Sequence, residues 1–201
     1  METVTYARSS IDYNPIAATN ALASLVYASD TVLSIETLET WYEANKTIFW
    51  VALVNQTLVG YISVLPLCDS KFNELYQSDF DEKTIAATDI LPFESASCFL
   101  LSSIVVSPDY RRDNDTRTSR SSISRVLRLN FLSDMLSYMQ KSEIVSIRLA
   151  GEAITPKGES MLHSLGLHFI SETRPGNKLY VGDLMTEHLI RLVEGLRCRL
   201  E

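Results

Sequence analysis

Long apolar runs are missing from this chain. No stretch approaches the roughly 18 consecutive residues needed to cross a bilayer, so neither a membrane span nor a membrane partner is expected. Cysteine is scarce as well. Cys68, Cys98 and Cys198 lie far apart and are odd in number, which argues against a disulfide framework and against a zinc cluster. No metal is expected. Met1-Glu2-Thr3-Val4 has no basic region leading into an apolar run, so no secretory leader is expected and a reducing cytoplasm is the simplest location. Internal repeats and low-complexity tracts are absent too. What remains is 46% hydrophobic and 21% charged, the balance of a globular chain with a packed core. Its 201 residues suit one domain of ordinary to large size.

Positive charge is in short supply overall but locally concentrated. The net charge is −7, yet Arg111, Arg112, Arg117, Arg120, Arg125 and Arg128 crowd one stretch. With Asp113 and Asp115 that stretch carries +4, leaving −11 for the remainder. A basic segment inside an acidic protein reads as a local anion site, with a solvated basic loop as the plain alternative. A nucleic-acid partner is not expected, because the rest of the chain is acidic and no aromatics interleave the arginines. A second imbalance has the opposite sign. Residues 68–95 hold seven acids against Lys71 and Lys83, a net −5, and they interrupt the regular pattern like an acidic insertion.

Periodicity orders the rest. Val4–Tyr13 alternates as an opening strand, Ala17–Ala28 reads as a helix, and Ser34 caps a second helix to about Asn45. Residues 47–54 and 57–64 are β-branched and aromatic runs joined by Asn55-Gln56, which predicts a hairpin. Cys98–Val106 is a strand stopped by Ser107-Pro108. Ile123–Gln140 is a long helix with two adjacent apolar rows, the pattern of a helix laid on a sheet. Ile144–Leu149 is a short strand. Thr155 and Pro156 open a helix that Gly166 ends. Strands at Leu167–Thr173 and Lys178–Leu184 flank Pro175-Gly176-Asn177, and a final amphipathic helix carries Leu189, Leu192, Val193, Leu196 and Leu200. The fold class is α+β around one long sheet.

Three strings in this order resemble the GNAT superfamily of acyl-CoA-dependent N-acyltransferases across roughly residues 47–184. They are the hairpin ending in Leu58-Val59-Gly60-Tyr61-Ile62, the strand and exit Ile104-Val105-Val106-Ser107-Pro108-Asp109-Tyr110-Arg111-Arg112, and Leu165-Gly166-Leu167-His168-Phe169. The resemblance implies a central mixed, mostly antiparallel sheet flanked by helices in a single domain spanning 1–201, with acetyl-CoA as acyl donor. It also implies that the backbone of Ile104, Val105 and Val106 pairs with pantetheine, and that the next helix turns its N-terminal N–H groups to the pyrophosphate. The family's phosphate loop carries glycines after its first arginine, and here Asn114 and Thr116 stand in their places. A register in which Ser122-Ile123-Ser124 replaces the Gly-x-Gly string, with a lengthened basic loop at about 111–121, accommodates the extra length. The expected cofactor contacts are then Ile104, Val105, Val106, Arg111, Arg112, Arg120, Ser121, Ser122, Ile123, Ser124 and Arg125.

The catalytic groups are less legible. The family's tyrosine acid, four residues before the turn glycine, is replaced by Leu162, and His163 beside it points about 100° away on a helix. The strand 98–106 holds no carboxylate, so Glu94 just before it is the nearest candidate base, with Ser102, Ser103 and Tyr180 as weaker catalytic candidates. The expected reaction is acyl transfer to a small-molecule or peptide amine, in a protein that could form a homodimer. A non-catalytic binding or regulatory module with a degenerate CoA site is the alternative. The acidic segment 68–95 would favour a cationic amine, or serve only to solubilise an exposed insertion.

Overall fold

The computed structural model describes residues 4–77, 80–111, 123–174 and 177–200. Seven strands form one sheet: β1 (Val4–Arg8), β2 (Phe49–Val54), β3 (Thr57–Leu67), β4 (Cys98–Val106), β5 (Ser146–Ala153), β6 (His168–Arg174) and β7 (Asn177–Met185). Their order across the sheet is β1-β2-β3-β4-β5-β7-β6. Every pairing is antiparallel except β4 with β5. The helices are α1 (Ile16–Ser24), α2 (Ile35–Ala44), α3 (Asp69–Glu74), α4 (Ile123–Lys141), α5 (Pro156–Ser164) and α6 (Thr186–Arg197). This is the mixed, mostly antiparallel sheet with flanking helices that the sequence predicts.

Local chemistry explains most boundaries. Asn55 and Gln56 both take positive φ, 49° and 66°, which is the twist a two-residue hairpin turn requires. Ser34 Oγ accepts from the Thr37 N–H at 3.2 Å and Thr155 Oγ1 from Gly158 N–H at 3.1 Å, so α2 and α5 start on side-chain caps. Gly166 ends α5 at φ +86°, where a side chain would be strained. Two strands depart from expectation. β1 stops at Arg8, because the chain folds back through a Ser10–Tyr13 bridge. β5 runs on past Leu149 to Ala153, held by pairing with β7 as far as Lys178.

The sheet buries both faces. On one, α4, α5 and α6 cover Trp50, Ile62, Phe99, Leu101, Leu149 and Tyr180. On the other, α1, α2 and the segment 68–95 cover Phe49, Tyr61, Leu65, Leu100, Leu179 and Val181. The acidic segment is therefore packed rather than draped. Phe72, Leu75, Ile85, Ile90 and Phe93 are buried, Trp41 Nε1 donates to the Ile85 carbonyl at 3.0 Å, and Asn45 Nδ2 to that of Leu91 at 2.9 Å. Asp69 and Glu94 are exposed, whereas Glu82 turns inward to Ser102.

Candidate active site

The sheet opens along one seam. β4 and β5 pair only from Cys98↔Arg148 to Leu101↔Gly151. Beyond that point β5 stays with β7 and β4 stays with β3, so Ser102–Val106 has no neighbour on its β5 side. Strand alternation decides which backbone groups face the gap. The Ser107 N–H donates to the Val59 carbonyl on β3 at 2.8 Å, so Val105, two residues earlier, also turns to β3. Ile104 and Val106 then turn theirs to the open side. Two contacts agree with this: the Ile104 carbonyl accepts from Tyr27 Oη at 3.4 Å and the Val106 carbonyl from Arg111 Nε at 2.9 Å. The side chain of Val105 is core, 1% exposed.

The first turn of α4 closes the far end of this seam. A Cβ on Gly60, which pairs with Val106, would lie 3.1 Å from Leu127 Cδ1 and 3.3 Å from Ile123 Cγ2. Glycine there lets the helix start sit against the sheet beside the open strand. Positive charge gathers at this turn. Burial first, then Arg125 and Arg199, push the Arg128 guanidinium below its ordinary value, and both of those neighbours are cations. Arg125 Nη1 donates to the Arg199 carbonyl at 2.7 Å, tying α4 to the residues after α6. Arg128 belongs to the basic stretch that the sequence reads as an anion site, though not to the expected cofactor contacts. Arg199 had no part in that expectation, and only the final helix's return beside α4 brings it there. Arg112, Arg120, Ser121 and Ser122 lie outside the described residues, as does the loop 112–121. Ile123 is 1% exposed and packs inward, while Ser124 and Arg125 are half-buried on the first turn. Arg111 folds back onto the end of β4 through its bond to Val106.

On the α1–α2 side, a β-bulge shapes the seam. Ser103 pairs with Ser63 and Leu101 with Val64, leaving Ser102 as the extra residue. A bulge places both of its residues on one side of the strand, and Ser102 and Ser103 both line a recess under α1. Ser102 Oγ donates to Glu82 Oε2 at 3.1 Å. Ser103 lies beside the Tyr27 and Tyr61 hydroxyls. Burial chiefly pushes both phenols up, Tyr61 very far, and the Glu82 carboxylate adds to the rise at each. A wider cleft continues outward from Glu82 to Glu152, Thr173 and Asn177.

The two sequence-predicted catalytic residues are elsewhere. Glu94 follows Phe93 on the α4 side; burial lowers Arg8 and raises Tyr138 there, and the Glu94 charge is close enough to act upward on both. That is the closed end of the β4–β5 pair, since β4 starts at Cys98 and opens only after Leu101. Tyr180 pairs with Gly151 on β7, but its hydroxyl donates to Glu159 Oε2 at 3.0 Å and its ring packs on His163 at 4.9 Å. Lys178 Nζ bonds the same carboxylate at 3.0 Å. Lys178 and Tyr180 hold Glu159 below the usual carboxylate range, and this cluster lies between α5 and β7, not in the seam. Leu162 does face the seam, at the floor of the fork: a Cβ on Gly151 would meet its Cδ2 at 2.8 Å.

A scan of protein-family models and a search of curated proteins both return no match to this sequence. Solved structures do match over nearly their whole length. The loading GNATL domain of CurA from Lyngbya majuscula superposes at TM-score 0.63 with 12% identity, covering 92% of this chain and 99% of that one. The GphF GNAT-like decarboxylase in complex with isobutyryl-CoA gives 0.57 and 15%, covering 90% and 99%. The chain has the GNAT fold. PaiA N-acetyltransferase from Thermoplasma acidophilum, in complex with coenzyme A, gives 0.51 and 16%, covering 89% and 98%. In this chain the open β4–β5 seam is furnished by the bulge serines, Glu82 and the Arg125–Arg128–Arg199 cluster. Among the described residues no helix is long and apolar enough to cross a membrane, and no group of three or more His, Cys, Asp or Glu could hold a metal ion.

Proposed function

We propose that the chain is an acyl-CoA-dependent N-acyltransferase, one domain over its 201 residues, moving an acetyl or short acyl group to a primary amine. The observation that carries this is the fork itself: a strand edge with outward-turned groups at Ile104 and Val106, ending at a cationic helix start. Such an edge suits the amides of pantetheine, and Arg125, Arg128 and Arg199 with the first turn of α4 suit its phosphates. Ser124 belongs to that turn, and the sequence adds Ser122, Arg112 and Arg120, which lie outside the described residues, as phosphate contacts. The thioester would then rest where β4 leaves β5, beside Ser102, with an amine approaching from the cleft on the α1–α2 side. Orientation of amine and thioester supplies much of the rate in such a reaction. The neighbours bound to coenzyme A and isobutyryl-CoA support a donor of this class.

One observation favours a second reading, a binding or regulatory module that holds acyl-CoA without turnover. Leu162 fills the floor of the fork, with no acid there among the described residues for a departing thiolate. A single pair of measurements separates the two. Acetyl-CoA at a hundredfold excess over Kd should stabilise the fold by about 2.7 kcal/mol in a thermal melt. Free thiol should then appear on adding amines. Stabilisation without thiol release favours the module, and no stabilisation with acetyl-CoA or longer acyl-CoAs removes both readings.

A further inference from the structure

One buried hydroxyl beside the fork is out of keeping with its surroundings. Ser63 on β3 is 2% exposed, and among the described residues its Oγ has no hydrogen-bond partner. Its cross-strand neighbours are Phe49 on β2 and Ser103 on β4. A serine hydroxyl carries one donor and two lone pairs. Leaving all of them unpaired away from water is costly, so a buried hydroxyl of this kind calls for an occupant.

Ser63 lines the recess under α1, which begins at the fork. Ser102 and Ser103, the bulged pair at which β4 has just left β5, form its near wall, and Ser63 lies one strand further in. Ala23, Leu33, Leu38 and Phe49 supply apolar lining. A plain alkyl chain in this recess would leave Ser63 unpaired, whereas a chain with one neutral polar atom would pair it. Geometry sets where that atom belongs. Adjacent strands lie about 4.8 Å apart. From a thioester carbon beside Ser102, three bonds reach an oxygen on the third acyl carbon, about 3.5 Å when extended. A hydrogen bond adds about 2.8 Å, enough to span one strand spacing. The methyl of an acetyl group, one bond out, stops short of Ser63.

We propose that the acyl donor is a short 3-hydroxyacyl-CoA, its chain lying in the recess under α1 and its hydroxyl bonded to Ser63 Oγ. The proposal rests on the acyltransferase reading above and names the group that is moved. The wider cleft stays open beside it, since Glu152, Thr173 and Asn177 line that cleft and not the recess. The step balances as follows. The amine lone pair attacks the thioester carbonyl, a C–N bond forms and the C–S bond breaks. The proton lost by nitrogen ends on the departing sulfur, giving a 3-hydroxyacyl amide and free CoA thiol. The 3-hydroxyl keeps its oxygen and its proton throughout, so Ser63 selects the donor and takes no part in the bond changes.

Donor binding tests this without an acceptor. Titration calorimetry on the intact protein compares butyryl-CoA with (R)- and (S)-3-hydroxybutyryl-CoA, which match it in carbon count and differ by one hydroxyl. One enantiomer is expected to bind about tenfold tighter than butyryl-CoA, and the other no tighter than it. Ser63→Ala should bring the favoured ratio close to one and keep butyryl-CoA affinity. The same variant should melt no lower than the parent, because removing an unpaired hydroxyl strands no partner. Equal affinity for butyryl-CoA and both 3-hydroxybutyryl-CoAs overturns the proposal and leaves acyl-CoA binding standing. So does a preference that survives in Ser63→Ala, a lowered melting temperature in that variant, or binding of acetyl-CoA alone. Failure of all four acyl-CoAs to bind overturns the underlying reading as well.

Discussion

Glycine decides the close approaches on which the site depends. At Gly151 the missing side chain lets Leu162 close over the last β4–β5 pair, since a Cβ there would lie 2.8 Å from Leu162 Cδ2. Gly151→Ala is expected to lower stability by about 1–3 kcal/mol through overpacking, read as a shifted denaturant midpoint. Gly166→Ala is expected to cost about 1–2 kcal/mol, because φ there is +86° and a Cβ would sit 3.1 Å from His188 Cε1. The second change lies outside the seam and should leave acetyl-CoA affinity alone. At this scale the site was poorly legible in the sequence. Glu94 is adjacent to β4 in the chain but at its closed end. Tyr180 is at the right level of the sheet, yet its hydroxyl is bound to Glu159 and its ring packs on His163. Glu82 was one acid among seven, and nothing local distinguishes it until Ser102 comes within 3.1 Å.

At the level of elements, α4 links packing to chemistry. Its first turn rests against Gly60 through Ile123 and Leu127, and its N–H groups lie beside Arg125 and Arg128. Ser124→Asp separates the two roles by sign. A carboxylate in the first turn of a helix is worth about 0.3–1 kcal/mol of added stability, so the free protein should melt slightly higher. The same charge would repel a pyrophosphate, so acetyl-CoA affinity should fall about tenfold or more. Parallel gains in both would place the phosphates elsewhere. Arg199→Ala should weaken acetyl-CoA binding, and the loss should shrink at high salt as the remaining cations are screened. Elements were the most legible level. The hairpin turn, the caps at Ser34 and Thr155, and the limits of β4 were written in local residue chemistry. β5 was read short because Ala150-Gly151-Glu152-Ala153 has weak strand propensity, and only pairing with β7 carries it on. The bulge at Ser102 has no sequence signature, since it arises from the register between two strands.

For the whole molecule, the order of strands makes the site. A parallel β4–β5 pair inside an otherwise antiparallel sheet lets the two strands follow different neighbours and part after Leu101. One face of the fork then meets α4, α5 and α6, and the other meets α1, α2 and the acidic segment, so under the proposed function donor and acceptor would approach from opposite sides. The class of this architecture could be read from the order of elements, whereas the fork's furnishing could not, because Ser63, Glu82, Ser102 and Glu152 converge from four separate stretches. The central claim is that the open edge of β4 receives acyl-CoA, and amide hydrogen exchange of the intact protein tests it residue by residue. With saturating acetyl-CoA, the Ile104 and Val106 amides should gain protection, while Val105, already turned to β3, should change little. Binding that leaves the Ile104 and Val106 amides exchanging as in the free protein would contradict the account.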